Sequence, residues 1–321
     1  MSRLGILNSG SLLGTELKGA LERRRDLWSR IDLLELETED YATVSEVAGE
    51  AVVVKSADDD NLAVLDLLFV CPGALPPAGE LAERLGAAGT VIVLSPCGDV
   101  PGAIPVVDGL NLERAEPGGL LVSPDAGAIA LGHLLHPLRP LGLEEATAWI
   151  VQPASAQDQE GVDELLEQTR RVLAFETEIP DGVLGRRLAN NLYPAGSPAS
   201  LALAGNVIET LGGDLRLGVE TVHAGVFHAV AASVCARLAP ETEVETVRQA
   251  LGDHPYVRMS PDSEPPGPVE AAGGEALLVG EIRPDLRRPG AFWLWGAADN
   301  LTFGGAANAL AIAEALLLRP N

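Results

Sequence analysis

The chain has 321 residues, 47% of them hydrophobic, which is material for about two packed domains. Its 46 Asp and Glu outnumber 22 Lys and Arg, and the resulting net charge of −24 repels nucleic acid and anionic membrane surfaces. Three cysteines, Cys71, Cys97 and Cys235, are too few and too unpatterned for a disulfide framework or a zinc site. No apolar run reaches the roughly 18 residues of a spanning helix, and the opening MSRLGILNSG lacks the apolar segment of a signal peptide. These features predict a soluble, cytoplasmic protein with no nucleic-acid partner, no membrane partner and no metal. Only Lys18 and Lys55 are lysines, and an acidic, Lys-poor surface points to adaptation to high salt, where self-repulsion is screened.

In chain order, Leu4 to Leu7 reads as a strand, Asn8 to Ser11 as a small-residue turn and Leu12 to Leu27 as a helix with a leucine-rich side. This β-turn-α opening can cradle a dinucleotide or can simply start the first helix. Asn8 tolerates a positive φ, while Ser11 and Leu12 are expected to crowd a phosphate. Ile31 to Leu36 is a second strand, ending in Glu35, Glu37, Glu39 and Asp40. An acidic residue there can accept bonds from ribose hydroxyls, and a solvated acidic loop is the plainer alternative. Strands follow at Val52 to Val54, Leu65 to Cys71 and Thr90 to Leu94, with a helix from Leu81 to Ala88. Strands alternating with helices imply a parallel sheet covered on both faces.

At Leu120 the character changes. A strand end leads through Ser123-Pro124-Asp125 into a small, apolar run from Ala126 to Leu135 closed by Pro137, the pattern of a strand, a tight turn and a helix start. Beyond it, Leu143 to Val151 reads as a strand and Gly161 to Leu173 as a helix. Ser260 to Gly274 reads as an exposed loop, Leu277 to Arg283 and Phe292 to Ala297 as strands, and 306 to 318 as a buried helix. His133 and His136 lack a third ligand in the sequence, and Cys97 has no neighbouring base.

The run Ser123-Pro124-Asp125-Ala126-Gly127-Ala128-Ile129-Ala130-Leu131 resembles the catalytic corner of aspartate-semialdehyde dehydrogenases, where Asn-Pro-Asn-Cys precedes a small residue, Thr, Ile, Gln and Leu. Ala126 stands at the Cys position. Other parts of the family pattern recur in order along the chain. Asn8-Ser9-Gly10-Ser11-Leu12-Leu13-Gly14 takes the place of Gly-Ala-Thr-Gly-Ala-Val-Gly, and Asp66 with Cys71-Pro72-Gly73-Ala74 matches the next strand and its turn. Ser95-Pro96-Cys97-Gly98-Asp99 replaces Ser-Ser-Ala-Phe-Arg, putting Asp99 where the Arg binds phosphate. Gln152 through Gly161 aligns on the segment that carries the family's Gln, and Asn191-Leu192-Tyr193-Pro194 resembles the strand after it. His223 replaces the substrate Arg, and Val230 replaces the catalytic His. His228, two residues before Val230, is expected to share its strand face. Gly304-Gly305-Ala306-Ala307-Asn308-Ala309 is the most faithful segment, with Asn308 near the nicotinamide in the relatives or bridging backbone.

The resemblance implies an α/β fold of two domains. A Rossmann-like doubly wound parallel sheet would take 1–125 with 299–321, and an α+β dimerisation domain with helices on one face of a mixed sheet would take 126–298. It implies a homodimer. It also places cofactor contacts at Asn8, Gly10, Ser11, Gly14 and Asn308, with NADP or NAD bound only if that turn still works and no cofactor otherwise. No catalytic residue is expected, since Ala126 and Val230 flank a lone Gln152. The implied function is that of a degenerate, Usg-type paralogue, a dimeric binding or regulatory protein whose partner the sequence does not name. The alternative is an NADP-dependent oxidoreductase of aspartate-family amino-acid biosynthesis, and a different reaction through Cys97 or His228 is a third reading.

Overall fold

A computed structural model describes residues 2–36, 43–95 and 100–318. The chain forms two compact units, Met1–Asp125 with Gly305–Asn321, and Ala126–Gly304.

The first unit is built on a seven-stranded sheet in the order Lys55–Ser56, Trp28–Glu35, Ser2–Leu7, Leu67–Val70, Thr90–Leu94, Leu120–Ser123, Ile104–Pro105. Every pairing is parallel. Leu67–Val70 and Thr90–Leu94 are buried at every position, as strands covered on both faces must be. Asp32 sits in this interior because three cations reach it, Arg3 at 2.5 Å, Lys55 at 2.7 Å and Arg30 at 3.2 Å. Burial pushes its carboxyl up, and the hydrogen bonds from Arg3 and Lys55 more than offset this, holding it below the usual carboxylate range.

The first helix covers Leu12–Glu22 rather than extending to Leu27. Its last turn gives way to a loop in which the Arg24 guanidinium binds Asp26 and Glu314. Leu27 is buried all the same, at 3% exposure, so an apolar residue at helical spacing had two ways to reach the core. Val44–Val47 and Glu50–Val53 form an antiparallel hairpin where a lone strand at 52–54 was expected. Its turn residues Ala48 and Gly49 both have positive φ, 54° and 78°, the type I′ geometry that matches strand twist.

The second unit has a mixed seven-stranded sheet in the order Leu192–Pro194, Arg216–Ala224, Glu145–Gln152, Val230–Arg237, Ala291–Ala298, Leu277–Pro284, Val257–Met259. In Glu145–Gln152 the side chains of Ala146, Ala148, Ile150 and Gln152 are buried while Glu145, Thr147 and Trp149 are exposed, so only one face is covered. The cover is the helix Ala126–Leu135, buried along its whole length and packed on the three central strands. Gly296 permits that approach, since a Cβ there would stand 3.2 Å from Leu134. The helices Ser197–Leu211 and Val244–Gly252 add to the unit. The stretch 260–274, expected as loop, includes the short helix Pro268–Ala271.

The second crossing between units falls at Gly304/Gly305, beyond the expected 298/299 boundary. Asp299 and Asn300 explain the difference, because their carboxylate and amide oxygens accept bonds from Gly273 N (2.7 Å) and Ala229 N (2.8 Å) of the second unit. Among the described residues no helix is long and apolar enough to cross a membrane.

Candidate active site

In the first unit the turn after the first strand adopts the left-handed conformation at Asn8, with φ 58°. Asn8 N donates to Leu34 O (3.0 Å), and its amide donates to Cys71 O (3.1 Å) and Ala74 O (3.2 Å). Asn8 thus ties the turns at the ends of two neighbouring strands together. Ser11 caps the helix, its hydroxyl accepting from Gly14 N (3.0 Å) and donating to Asn8 O (3.0 Å). Its side chain is therefore folded inward and buried. Gly14 must be glycine, because a Cβ would meet Asn8 O at 2.8 Å. Gly10 is exposed, with open space where a side chain would be.

Asn308, the other position singled out for a cofactor, is 4% exposed and committed to backbone and side-chain partners. Its amide donates to Val106 O (3.0 Å) and Ser123 Oγ (2.8 Å), and its oxygen accepts from Asp108 N (2.8 Å). Both amide protons and one of the two oxygen lone pairs are used. Of the acidic residues after the second strand, Glu35 is half-buried, with no hydrogen bond or ion pair of its side chain among the described residues. Burial pushes its carboxyl above the usual range. Glu37, Glu39, Asp40, Cys97 and Asp99 lie outside the described residues.

In the second unit Ala126 opens its helix at 3% exposure. Gly304 packs against it so closely that a Cβ there would stand 2.4 Å from the Ala126 methyl. Val230, the first residue of its strand, is 1% exposed, and Gln152, the last of its own, is 6% exposed. Neither Ala126 nor Val230 carries an atom that can attack a carbonyl or hold a proton. The frame around them is tightly bonded. The Asn300 oxygen accepts from Ala229 N (2.8 Å) and Ser155 Oγ (3.2 Å), while Ala154 N and Ser155 N donate to Val226 O (2.8 Å) and Phe227 O (3.0 Å).

His223 lies opposite Gln152 on one side and Tyr193 on the other, with ring centroids 5.4 Å apart in the latter pair. His228 does not share a strand face with Val230. The strand begins at Val230, and Ala229 before it is left-handed at φ 69°, so the alternation is broken and His228 sits in a bend. His133 is buried, with Nδ1 2.8 Å from His254 Nε2 and its ring stacked on Tyr256. Among the described residues no group of three or more His, Cys, Asp or Glu is placed to hold a metal. Sequence reasoning passed over Asn300 and His254, since their roles depend on strands far away in the chain.

A Rossmann-like parallel-sheet unit joined to a mixed-sheet unit, with the corner at Ala126 opening the second, is the two-domain fold of semialdehyde dehydrogenases. Residues 135–303 match the family described as semialdehyde dehydrogenase, dimerisation domain, and the chain belongs to that family. It is 28% identical to an aspartate-semialdehyde dehydrogenase of Synechocystis sp., over 99% of this chain and 98% of that protein. It is 27% identical to a USG-1 protein homolog of Azotobacter vinelandii, over 98% of this chain and 97% of that protein. A solved structure titled as a probable aspartate-semialdehyde dehydrogenase from Pseudomonas aeruginosa superposes with a TM-score of 0.87 at 26% identity, covering 98% of this chain and 97% of its own.

Proposed function

We propose that this chain is a catalytically silent member of its family that acts as a dimeric binding or regulatory protein. The observation that carries the reading is the corner itself: a methyl at Ala126, packed on Gly304, stands where the relatives' pattern has a thiol. A thioester route needs a nucleophile, a base to take its proton and a cation for the phosphate. Ala126 and Val230 supply neither of the first two, and Asp99 brings the wrong charge for the third. Gln152 then has no acyl group to orient and serves as a buried polar residue.

The dinucleotide implied by the family fits this chain in part. The turn at Asn8 to Gly14 keeps its shape and leaves Gly10 open to a pyrophosphate. Glu35, whose carboxylate has no partner among the described residues, ends the second strand, where it would repel a 2′-phosphate and accept from a ribose diol. The 2′-phosphate of NADP does not fit that position.

Dimerisation is supported by the open sheet face, where Trp149 is 56% exposed on a strand whose other face is buried. The relatives' names carry the second reading, an aspartate-semialdehyde dehydrogenase activity. One experiment separates the two. The purified wild type and Ala126→Cys are assayed for reduction of aspartyl phosphate and for the reverse reaction, with the mass of each recorded in solution. A dimer with no turnover in either protein is expected, because a restored thiol still lacks its base. Measurable turnover in wild type or in the single variant overturns the proposal.

A further inference from the structure

In the parallel sheet of the first unit, Trp28–Glu35, Ser2–Leu7 and Leu67–Val70 lie side by side, so their carboxyl ends share one edge. That edge is where open α/β sheets take their ligands. Its central turn is held from one side by Gly73, at φ 148°, so close that a Cβ there would stand 2.7 Å from the Asn8 amide. The same amide donates to Cys71 O and Ala74 O, which fixes the turn before any ligand arrives. Gly10 is different: nothing lies within 4 Å of the place its Cβ would take, and its φ is not positive. Open space therefore stands beside the N-terminus of the helix Leu12–Glu22, where the backbone dipole favours an anion.

Glu35 closes the second strand about 20 residues beyond Gly14, the spacing of a ribose-binding acid in dinucleotide folds. Its neighbour in register on the edge strand is Ser56, while Lys55, in register with Leu34, is drawn to Asp32 at 2.7 Å. Asp32 takes Arg3 and Arg30 as well. The cations of these strands are thus spent on one buried carboxylate, and none of them is left to hold a 2′-phosphate. The Glu35 carboxylate accepts no hydrogen bond among the described residues, although burial pushes it above the usual range. Desolvation without donors leaves its lone pairs unfilled, and a vicinal diol offers two adjacent O–H donors. Asn308, which the family resemblance places near the nicotinamide, has both amide protons taken by Val106 O and Ser123 Oγ.

We propose that the first unit is a binding site for the ADP-ribose moiety, a diphosphate joined to an adenosine with a free 2′,3′-diol, presented as NAD or as free ADP-ribose. Gly10 and the helix start receive the diphosphate. Glu35 accepts from the ribose hydroxyls, and its charge excludes the 2′-phosphorylated nucleotide. The nicotinamide end adds little, since the donors of Asn308 are already spent. The inference rests on the reading of the chain as a silent binding protein, and it names what that protein binds.

The test is a calorimetric titration of the full-length protein with NAD, ADP-ribose and NADP, with the shift in Tm as a second readout. Saturable binding of NAD is expected, with ADP-ribose within about threefold of it or tighter and NADP at least about tenfold weaker. Tighter binding of ADP-ribose marks the free nucleotide as the ligand, and equal binding marks the shared moiety. Glu35→Gln should weaken NAD about tenfold and bring NADP within about threefold of it, since an amide repels no phosphate. Gly10→Leu places a side chain in the open space and should abolish binding of all three while the Tm of the free protein stays unchanged. No heat and no Tm shift at millimolar nucleotide, equal affinity of wild type for NAD and NADP, or NAD more than about tenfold tighter than ADP-ribose overturns the proposal. So does an unchanged preference in Glu35→Gln, or full binding by Gly10→Leu. Such a failure leaves the silent dimer standing, whereas turnover in the Ala126→Cys assay removes that reading and leaves the nucleotide preference as measured.

Discussion

The turn at Asn8 and the corner at Ala126 both depart from the family pattern as the sequence reads, yet the departures differ in kind. At the turn the relatives use glycines, and what those glycines provide is backbone shape. Asn8 takes the left-handed conformation at φ 58°, and the Ser11 hydroxyl accepts from Gly14 N of the helix it caps. At the corner the relatives use a side chain, and shape alone cannot replace it. The helix Ala126–Leu135 and the strand Val230–Arg237 are in place, with methyl and isopropyl groups at their first residues. On the proposed reading, a role carried by backbone geometry tolerates substitution better than one carried by a single functional group.

The contrast is sharpest where the corner is most crowded. Gly304→Ala adds a methyl 2.4 Å from Cβ and 2.7 Å from Cα of Ala126, so one of two backbones must move. Overpacking of this kind should cost about 3 kcal/mol. That loss should appear as a fall of roughly 9 °C in Tm. Combining it with Ala126→Gly should restore part of the loss, and simple additivity in the double variant would show that the two residues do not press on each other.

A smaller effect, reversible with pH, comes from His133 on the same helix. Burial, with His254 and His136 nearby, lowers its pKa from the ordinary 6.5 to about 3. Arg139 acts on His136 in the same direction as that ring's burial. Between those two values the unfolded chain binds a proton that the folded chain excludes, so stability is full above pH 6.5 and falls as the pH drops toward 3. At pH 5 the loss relative to pH 7 should be about 2 kcal/mol. Urea midpoints across this range measure it, and His133→Leu should flatten the profile. An unchanged slope would mean that other groups dominate acid unfolding.

The smallest effect belongs to the turn. Ser11→Ala removes the cap and should cost about 1 kcal/mol, while Ser11→Gly, which returns the family's residue, should cost only a few tenths. Chemical denaturation resolves the two. Equal losses would place the hydroxyl's value elsewhere than in the Gly14 cap.

Much of this architecture could be read along the chain. The corner at 120–135 and the strand Thr90–Leu94 are local patterns, an apolar run bounded by turn residues, and they fold as they read. The helix that ends at Glu22 rather than Leu27 was not legible, because burial of Leu27 satisfies helical periodicity without helix. The bend at His228 was hidden for a similar reason: a left-handed alanine at 229 leaves no trace in residue type. The helices at 197–211 and 244–252 escaped the reading altogether, although the second keeps its buried Val247 and Leu251 one turn apart.

The sequence by itself determined the two-part α/β plan and the local strand-turn-helix corners, since hydrophobic period and turn chemistry are properties of residues in order. Only the tertiary structure decided which polar groups are spent and which are free. Asn308 bridges Val106, Asp108 and Ser123, Ser11 turns inward, and Arg237 and Arg287 have no side-chain partner among the described residues. A hydrogen bond or an uncompensated charge depends on distances between residues far apart in the chain, and no local pattern encodes those distances.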